Sequence, residues 1–378
     1  MKFLHTADWQ IGMKYSHTGE VGTRLREERI NSLRVLVEIA RAHEAEFMLV
    51  AGDMFEDNGV ERVLVQKVAD ILATAGMPVF VIPGNHDPCV PGSVWEHPAW
   101  EEAGNVTVLL SECPVEIPGG LLYPCPIREK YSGMDPTTWI HNAPRNTGDI
   151  RIGIAHGTVE GVCQEVQEYP VSRNAAERAG LDYLALGHWH SLATYPGEDG
   201  AVRMAYSGTH EATKFGERDS GNILVVEIEG GGAAPVLTPI HTGELEWVVI
   251  EKELREERDI AELRAQIESV KTPGKALVDI RLAGLLTTAG QRELSRIREI
   301  LESGRFLFGR IDAARLRPAP EDENWVAALP AGVIREAGSR LRELADPAFA
   351  GRRTDGASPE IAARALIELY AIVSEETR

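Results

Sequence analysis

Apolar runs that end abruptly in polar residues recur along the first part of the chain. Residues 2–7, 47–53 ("FMLVAGD") and 79–87 ("VFVIPGNHD") each have the pattern of a buried strand followed by a polar turn. Helical patterns separate them at residues 24–43 and at about residues 60–75. The apolar face of the first helix consists of Ile30, Leu33, Val37 and Ala40. This alternation predicts an α/β fold with a largely parallel sheet, whose strands end at a common edge.

Strands with histidines at their ends follow further along the chain, at residues 151–157 ("RIGIAHG") and 181–190 ("LDYLALGHWH"). The later segments 203–209, 222–229 and 234–242 alternate more strictly between apolar and polar residues. The sequence "GGGAA" joins the last two and indicates an antiparallel hairpin. We therefore expect mixed sheets.

The pattern changes after about residue 245. Residues 251–267 and 291–303 have charged helical patterns, and residues 275–285 ("KALVDIRLAGL") have a strand pattern between them. "RPAPEDEN" at residues 317–324 is typical of a linker. Two amphipathic helices follow, with apolar positions Ile334, Ala337, Leu341 and Leu344, then Ile361, Ala365, Leu369 and Ile372. The predicted divisions are residues 1–243, a small α+β domain at 244–316, and a linker with C-terminal helices at 317–378.

Composition narrows the choice of partners. The net charge of −19 argues against a broad basic surface for nucleic acid or a membrane, so an anionic substrate needs a local positive source such as a bound metal. Neither a signal peptide nor an apolar run of membrane-spanning length is apparent, and we expect a cytoplasmic protein. The four cysteines, Cys89, Cys113, Cys125 and Cys163, include no C-x-x-C pair and are expected to be reduced thiols.

The polar residues at the predicted strand ends are rich in metal-ligand types. They are Asp8, Gln10, Asp53, Asn85, His86, Asp87, His156, His188 and His190. The "GHWH" segment places two imidazoles at positions i and i+2 of an extended chain, where both can face one side. Because ligands gather beyond the carboxyl ends of strands in such sheets, a metal site is favoured over a chance collection of structural residues.

This ordered series resembles the signature of calcineurin-like metallophosphoesterases. Within them, "LHTADWQIG", "AGDMFED", "YSG" at residues 206–208 and "KFGE" with "GNILVVEIE" resemble the SbcD-type DNA repair exonucleases. The resemblance covers about residues 1–243. It implies a four-layer α/β/β/α sandwich of two mixed sheets, followed by a small α+β capping domain and C-terminal helices.

The resemblance also implies a ligand set for two divalent ions. Asp53 would bridge them, Asp8 and His190 would hold the first, and Asn85, His156 and His188 would hold the second. Two dications, two carboxylates and a bridging hydroxide leave a charge of roughly +1, which attracts a phosphodiester and supplies the nucleophile. Mn²⁺ is the expected ion, with Mg²⁺ or Fe²⁺ as alternatives.

Two positions depart from the family pattern. Gln10 stands where the family usually has histidine; either its neutral oxygen is a ligand that favours Mn²⁺ or Mg²⁺ over Zn²⁺, or it points away and water takes its place. Glu56 stands where relatives have histidine or an acid. The resemblance gives His86 the role of protonating the leaving oxygen or stabilising the transition state. We expect the Glu56 carboxylate to orient the His86 ring, the alternative being a solvated loop acid.

The expected function is metal-dependent cleavage of DNA as an exonuclease or endonuclease in DNA repair. The alternatives are a nucleotide phosphodiesterase or phosphatase of the same superfamily, and a catalytically weakened scaffold subunit. Candidate phosphate contacts are Arg128, Lys214 and Arg218, together with Lys14, Tyr15 and Lys130. Expected partners are single- or double-stranded DNA ends. The resemblance implies that an SbcC-like ATPase docks on the terminal helices; the alternative, which their ordinary apolar stripes favour, is that these helices pack on their own domain. A homodimer is left open, and no membrane is expected.

Overall fold

The structure is a computed structural model that describes residues 1–142, 149–162, 168–255, 257–320, 324–349, 351 and 358–376. The chain forms two compact units, Met1–Glu246 and Trp247–Arg378. The predicted divisions at residues 243 and 316 stay predictions.

The strands are β1 (Lys2–Thr6), β2 (Phe47–Ala51), β3 (Val79–Ile82), β4 (Val106–Val108), β5 (Val115–Ile117), β6 (Gly120–Cys125), β7 (Ile150–His156), β8 (Tyr183–Gly187), β9 (Ala193–Pro196), β10 (Val202–Tyr206), β11 (Asn222–Glu227), β12 (Val236–His241), β13 (Glu246–Leu254), β14 (Ala276–Leu286) and β15 (Phe308–Pro318). The helices are α1 (Val21–Ala42), α2 (Arg62–Ala73), α3 (Ala99–Glu102), α4 (Ala175–Ala179), α5 (Glu257–Glu268), α6 (Thr288–Glu302), α7 (Trp325–Ala328), α8 (Val333–Ala345) and α9 (Pro359–Glu376).

The first unit contains two six-stranded mixed sheets. The first sheet has the order β12-β11-β1-β2-β3-β4, and the second has the order β5-β6-β7-β8-β10-β9. Strands β1 to β4 are parallel, as are β6 to β8. Their carboxyl ends therefore lie together at an edge of each sheet, where the polar residues of the predicted site begin.

Apolar side chains from both sheets form the core between them. Phe3 and Phe47 stack with ring centroids 4.9 Å apart, and Tyr183 from the opposite sheet lies 5.8 Å from the Phe3 ring. The outer face of the first sheet is covered by α1 and α2, and that of the second by α4. The predicted four-layer sandwich is confirmed, and the face predicted for the first helix is buried at all its positions.

The predicted hairpin is confirmed, because β11 and β12 are antiparallel neighbours. Strand β10 lies in the second sheet, parallel to β8 and antiparallel to β9. The alternating pattern of β10 predicted a strand but carries no information about its neighbours.

The second unit has a three-stranded sheet in the order β13-β14-β15, with α5 and α6 packed on its apolar face. The charged pattern at residues 251–267 predicts one helix, whereas β13 continues to Leu254 and α5 begins only at Glu257. The sequence pattern does not predict strand β15, because Ala313 and Ala314 interrupt its alternation of charged and apolar residues. Pro318, placed in the predicted linker, ends that strand; residues 321–323 of the linker lie outside the described residues.

The C-terminal helices α8 and α9 are confirmed and contact each other. Gly338 of α8 is buried beside Leu369 of α9, so the two helices approach closely there. Ile334, Ile361 and Ile372, predicted as members of apolar faces, are more than half exposed. Within the described residues, no helix has the length and apolar character required to cross a bilayer. Cys89, Cys113 and Cys125 are free thiols, and Cys163 lies outside the described residues.

A buried arginine on α1 joins two loops of the first unit. Arg29 is 2% exposed, and its guanidinium lies among main-chain oxygens. Its donors reach the carbonyl oxygens of Asp8, Trp9, Glu211 and Ala212 and the hydroxyl of Thr209. A buried cation with this many acceptors fixes the loop after β1 against the loop after β10.

We expect Arg29→Met to weaken this region strongly. Methionine retains most of the aliphatic volume but leaves the carbonyl oxygens without donors, which costs about 3 kcal/mol or more of local unfolding free energy. Hydrogen exchange of peptides from β1 and α1, measured in chelator, reports this loss. Arg24→Met is the matched control because Arg24 is exposed on the same helix, and it should change stability by less than about 0.5 kcal/mol. Unchanged exchange in Arg29→Met would show that the loops do not depend on this cation.

Candidate metal centre

The site begins where strands of both sheets end. Asp8 and Asp53 follow β1 and β2 by two residues, His156 is the last residue of β7, and His188 follows β8 directly. Asp8, Asp53 and His188 have positive φ angles of 54°, 50° and 103°, and Gln10 has a φ of 43°. Non-glycine residues rarely adopt this conformation, and such strain is found preferentially at functional sites. The backbone turns sharply at each strand end and directs these side chains toward one another.

Two carboxylates lie buried at the centre of this edge. Asp8 is fully buried and Asp53 is 2% exposed, and one oxygen of each lies within 4.8 Å of a His156 ring nitrogen and of the other. The Asp53 Oδ2 atom is 3.4 Å from His156 Nε2. In the described part of the chain, no lysine or arginine forms an ion pair with either carboxylate. Buried charges require compensation, so these carboxylates fit a centre that binds positive ions.

The pKa values of Asp8, Asp53 and His156 also indicate that the buried carboxylates require positive charge nearby. Burial raises the pKa of Asp8 to about 6. Burial also acts to raise the pKa of Asp53, but the charge and hydrogen bond of His156 outweigh it and hold that pKa well below its usual range. Burial lowers the pKa of His156, yet the Asp53 carboxylate raises it overall to about 9. In the metal-free protein a proton on His156 thus supplies the positive charge between the two acids.

A second group of ligands meets around Asn85. The Asn85 Oδ1 atom is 2.8 Å from His156 Nε2 and 3.0 Å from His188 Nδ1. The carbonyl oxygen of Ala51 accepts a hydrogen bond of 2.9 Å from His156 Nδ1, which directs Nε2 into the site. Burial lowers the pKa of His188 to about 3, so its ring is neutral, as a metal ligand must be. The residues implied for the second ion therefore converge.

His190, the remaining imidazole of the set, is held by an acid that the sequence analysis did not assign. Its Nδ1 atom lies 2.8 Å from Glu217 Oε1. Glu217 belongs to the "KFGE" segment used for the family resemblance, but nothing in the sequence indicated which side chain it would contact. The main-chain N–H of His188 donates to both carboxylate oxygens of Asp8, at 2.9 and 3.1 Å, which ties the implied ligands of the first ion to those of the second.

Gln10 lies beside the centre. It is 5% exposed, and its main-chain N–H donates to the carbonyl oxygen of Asp53 at 2.9 Å. This hydrogen bond links the loop after β1 to the loop after β2. Ligation by its side-chain amide stays a prediction.

Glycines permit the close approach of the strand ends. A Cβ atom on Gly84 would lie 2.1 Å from Asp53 Oδ1, and one on Gly52 would lie 2.3 Å from His156 Nδ1. Gly52 also has a φ of 84°. Any larger residue at these positions would displace the ligands themselves.

His86 is oriented differently from the prediction. Its Nδ1 atom donates to the main-chain carbonyl oxygen of Glu56 at 2.9 Å, and the Glu56 carboxylate oxygen Oε2 is buried without a hydrogen-bond partner. The expected orienting carboxylate is thus replaced by a carbonyl group. The His86 main-chain N–H donates to Asp53 Oδ1 at 2.8 Å. Asp87 caps the loop because its carboxylate accepts hydrogen bonds from the N–H groups of Phe55 and Gly84.

A cavity of about 660 Å³ opens beside His188 and His190. Lys214 and Arg218 line it, as do Trp189, Phe215 and Glu217. The other candidate phosphate contacts lie elsewhere: the described lining does not include Arg128, Lys14 or Lys130, and Tyr15 is buried. The Arg128 guanidinium instead donates to the carbonyl oxygen of Leu110. Trp189 and Phe215 were not predicted as site residues, because the two loops that contain them have no periodic pattern.

Comparisons with known proteins identify the family of the chain. Residues 1–192 match the family model for calcineurin-like phosphoesterases. The chain is similar to the uncharacterized metallophosphoesterase YhaO of Bacillus subtilis (strain 168), with 27% identity over 243 residues, which is 61% of this chain and 58% of that relative. The chain thus spans less than two thirds of the length of that relative. The crystal structure of TT1561 of Thermus thermophilus covers 64% of this chain and 98% of its own, with 11% identity and a TM-score of 0.42.

The match extends over the first 192 of 378 residues and includes the implied ligands Asp8, Asp53, Asn85, His156, His188 and His190. The chain belongs to the calcineurin-like phosphoesterase family.

Proposed function

We propose that this protein is a binuclear metal-dependent phosphodiester hydrolase that acts on DNA ends in DNA repair. The observation that carries the proposal is the convergence of Asp8, Asp53, Asn85 and His156 on one buried point without a lysine or arginine counter-ion among the described residues. The donor set of carboxylate oxygens, an amide oxygen and imidazoles fits divalent ions such as Mn²⁺. The resemblance to SbcD-type nucleases supports DNA as the substrate.

The ligands divide between two ion positions that share Asp53. Asp8 and His190, with Gln10 beside them, would hold the first ion, and Asn85, His156 and His188 would hold the second. When bound, the ions would polarise the phosphoryl oxygens and lower the pKa of a water nucleophile. The main-chain donors of His86 and His188 hold the two carboxylates in place before the substrate arrives.

His86 is suited to deliver a proton to the leaving oxygen. Its Nδ1–H donates to the Glu56 carbonyl oxygen, so the other ring nitrogen, Nε2, is available at the partly exposed side of the site. A carbonyl acceptor fixes the tautomer and ring orientation without adding charge. With a second proton on Nε2, the imidazolium would transfer that proton to the leaving oxygen as a general acid and return to the neutral Nδ1–H tautomer.

The cavity supplies the contacts that a nucleic acid requires. Lys214 and Arg218 provide positive charge next to the centre in a chain whose net charge is −19. Trp189 and Phe215 present aromatic rings, on which unpaired bases stack with little dependence on sequence. The second candidate function is a nucleotide phosphodiesterase, which a cavity of about 660 Å³ favours because it can enclose a small ligand. The SbcC-like ATPase partner of the terminal helices stays a prediction.

We expect His86→Ala to lose turnover and keep its metal. The hydrogen bond from His86 to the ligand Asp53 is made by the main-chain N–H, which alanine preserves. Loss of a positioned general acid lowers kcat by about 10²- to 10⁴-fold. The measurement is Mn²⁺-dependent cleavage of DNA with defined ends, paired with elemental analysis of the same samples. Asp53→Ala is the contrasting variant and should lose metal; metal loss in His86→Ala would place His86 among the ligands.

Lys214→Ala and Arg218→Ala distinguish DNA from a small substrate. If each side chain contacts a DNA phosphate, each variant raises KM for DNA roughly tenfold, since a hydrogen bond to a charged group contributes about 1.5 kcal/mol or more. Cleavage of bis-p-nitrophenyl phosphate, which reaches only the ions, should change little. Lys67→Ala, on the exposed surface of α2, is the control. Equal losses on both substrates, or no loss on DNA, would contradict DNA binding in this cavity.

A further inference from the structure

The Glu217 side chain lies beside the centre and is largely shielded from solvent. Its side chain is 6% exposed, and the described residues include no lysine or arginine paired with it. Its carboxylate accepts hydrogen bonds from three groups: His190 Nδ1 at 2.8 Å, the main-chain N–H of Thr213 at 2.8 Å, and the Thr213 hydroxyl. A carboxylate is expensive to bury, and these bonds offset that cost.

The contact with His190 determines what that imidazole can do. A ring whose Nδ1–H donates to a carboxylate has a fixed tautomer, and its Nε2 lone pair is directed away from the acid. The negative charge also makes the ring a stronger metal ligand. Such carboxylate–histidine pairs typically change metal affinity by about 10- to 100-fold.

The other imidazoles of the site lack this support. His156 Nδ1 is held by the neutral carbonyl oxygen of Ala51, and His188 Nδ1 faces the neutral amide of Asn85. The first ion position is also where Gln10 stands, and an amide is a weaker ligand than imidazole for most transition ions. A charged acid behind His190 therefore strengthens the single imidazole implied for the first position.

We propose that Glu217 is a positioning residue for the first ion, acting through His190, and that it offsets the weaker donor at Gln10. Because Glu217 also binds Thr213, it fixes the 213–218 loop, whose Lys214 and Arg218 line the cavity. The Glu217 carboxylate thus links His190 at the first ion position to the loop that carries Lys214 and Arg218. This inference rests on the metal centre of the proposed function.

The test compares Mn²⁺ binding by the full-length wild type, Glu217→Gln and Asp219→Asn, measured by calorimetric titration and elemental analysis without DNA. Each variant removes one negative charge from the same loop. Asp219 is exposed and has a φ of 51°, which asparagine tolerates. We expect wild type and Asp219→Asn to bind two ions alike, and Glu217→Gln to lose about 10- to 100-fold in affinity at one position only.

A second measurement needs neither metal nor activity. In the metal-free protein, histidine side-chain ¹H–¹⁵N spectra identify the His190 ring by comparison with His190→Ala, and we expect its Nδ1–H tautomer in wild type. Glu217→Ala should give a mixture of tautomers while the melting temperature of the metal-free protein stays close to that of wild type.

Three results would overturn the inference: wild-type affinity at both positions in Glu217→Gln, equal loss at both positions, or an unchanged His190 tautomer in Glu217→Ala. A lowered melting temperature with loss of both ions would mark Glu217 as a structural residue only. A wild type that binds no ion would refute the metal centre, and the tautomer would still show whether Glu217 orients His190.

Discussion

The structure of the first unit depends on two buried carboxylates that lack a lysine or arginine partner among the described residues. Asp8 and Asp53 end up in the interior because the strands before them are apolar and central in their sheet, and the loops after those strands turn inward. Leaving such a pair uncompensated would cost several kcal/mol per charge. His156, which is protonated in the metal-free protein, compensates part of this negative charge. The site is therefore suited to bind cations. The positive φ angles and the glycines at the strand ends allow its side chains to approach one another closely.

Around these acids, mostly neutral groups direct the imidazoles. The carbonyl oxygens of Ala51 and Glu56 orient His156 and His86, so each ring has a defined tautomer without additional charge. Glu217 is the exception because it brings a full negative charge to His190. Against an overall charge of −19, a centre of bound dications is the most effective local attraction for a phosphodiester, and the neutral carbonyl groups avoid weakening it.

Apolar runs that end in Asp, Asn or His predicted most strands of the first unit and placed the polar residues at their ends. The family resemblance implied the four layers, which the structure has, and the ligand set, whose binding of metal stays a prediction. It did not predict contacts made by the main chain, such as the Glu56 carbonyl oxygen on His86, since any residue type supplies a carbonyl group. Glu217 was missed for a related reason: an acid in an aperiodic loop resembles a solvated one until the loop is folded. Strand β15 was missed because two consecutive alanines, Ala313 and Ala314, break the alternation that marks a half-buried strand.

Anomalous diffraction from crystals of the full chain grown with Mn²⁺ tests most directly whether these buried carboxylates bind cations. Two anomalous peaks are predicted, one among Asp8, Asp53 and His190 and one among Asp53, Asn85, His156 and His188. The absence of any peak at these residues under saturating Mn²⁺, with His156 still hydrogen-bonded to Asp53, would contradict a metal centre here.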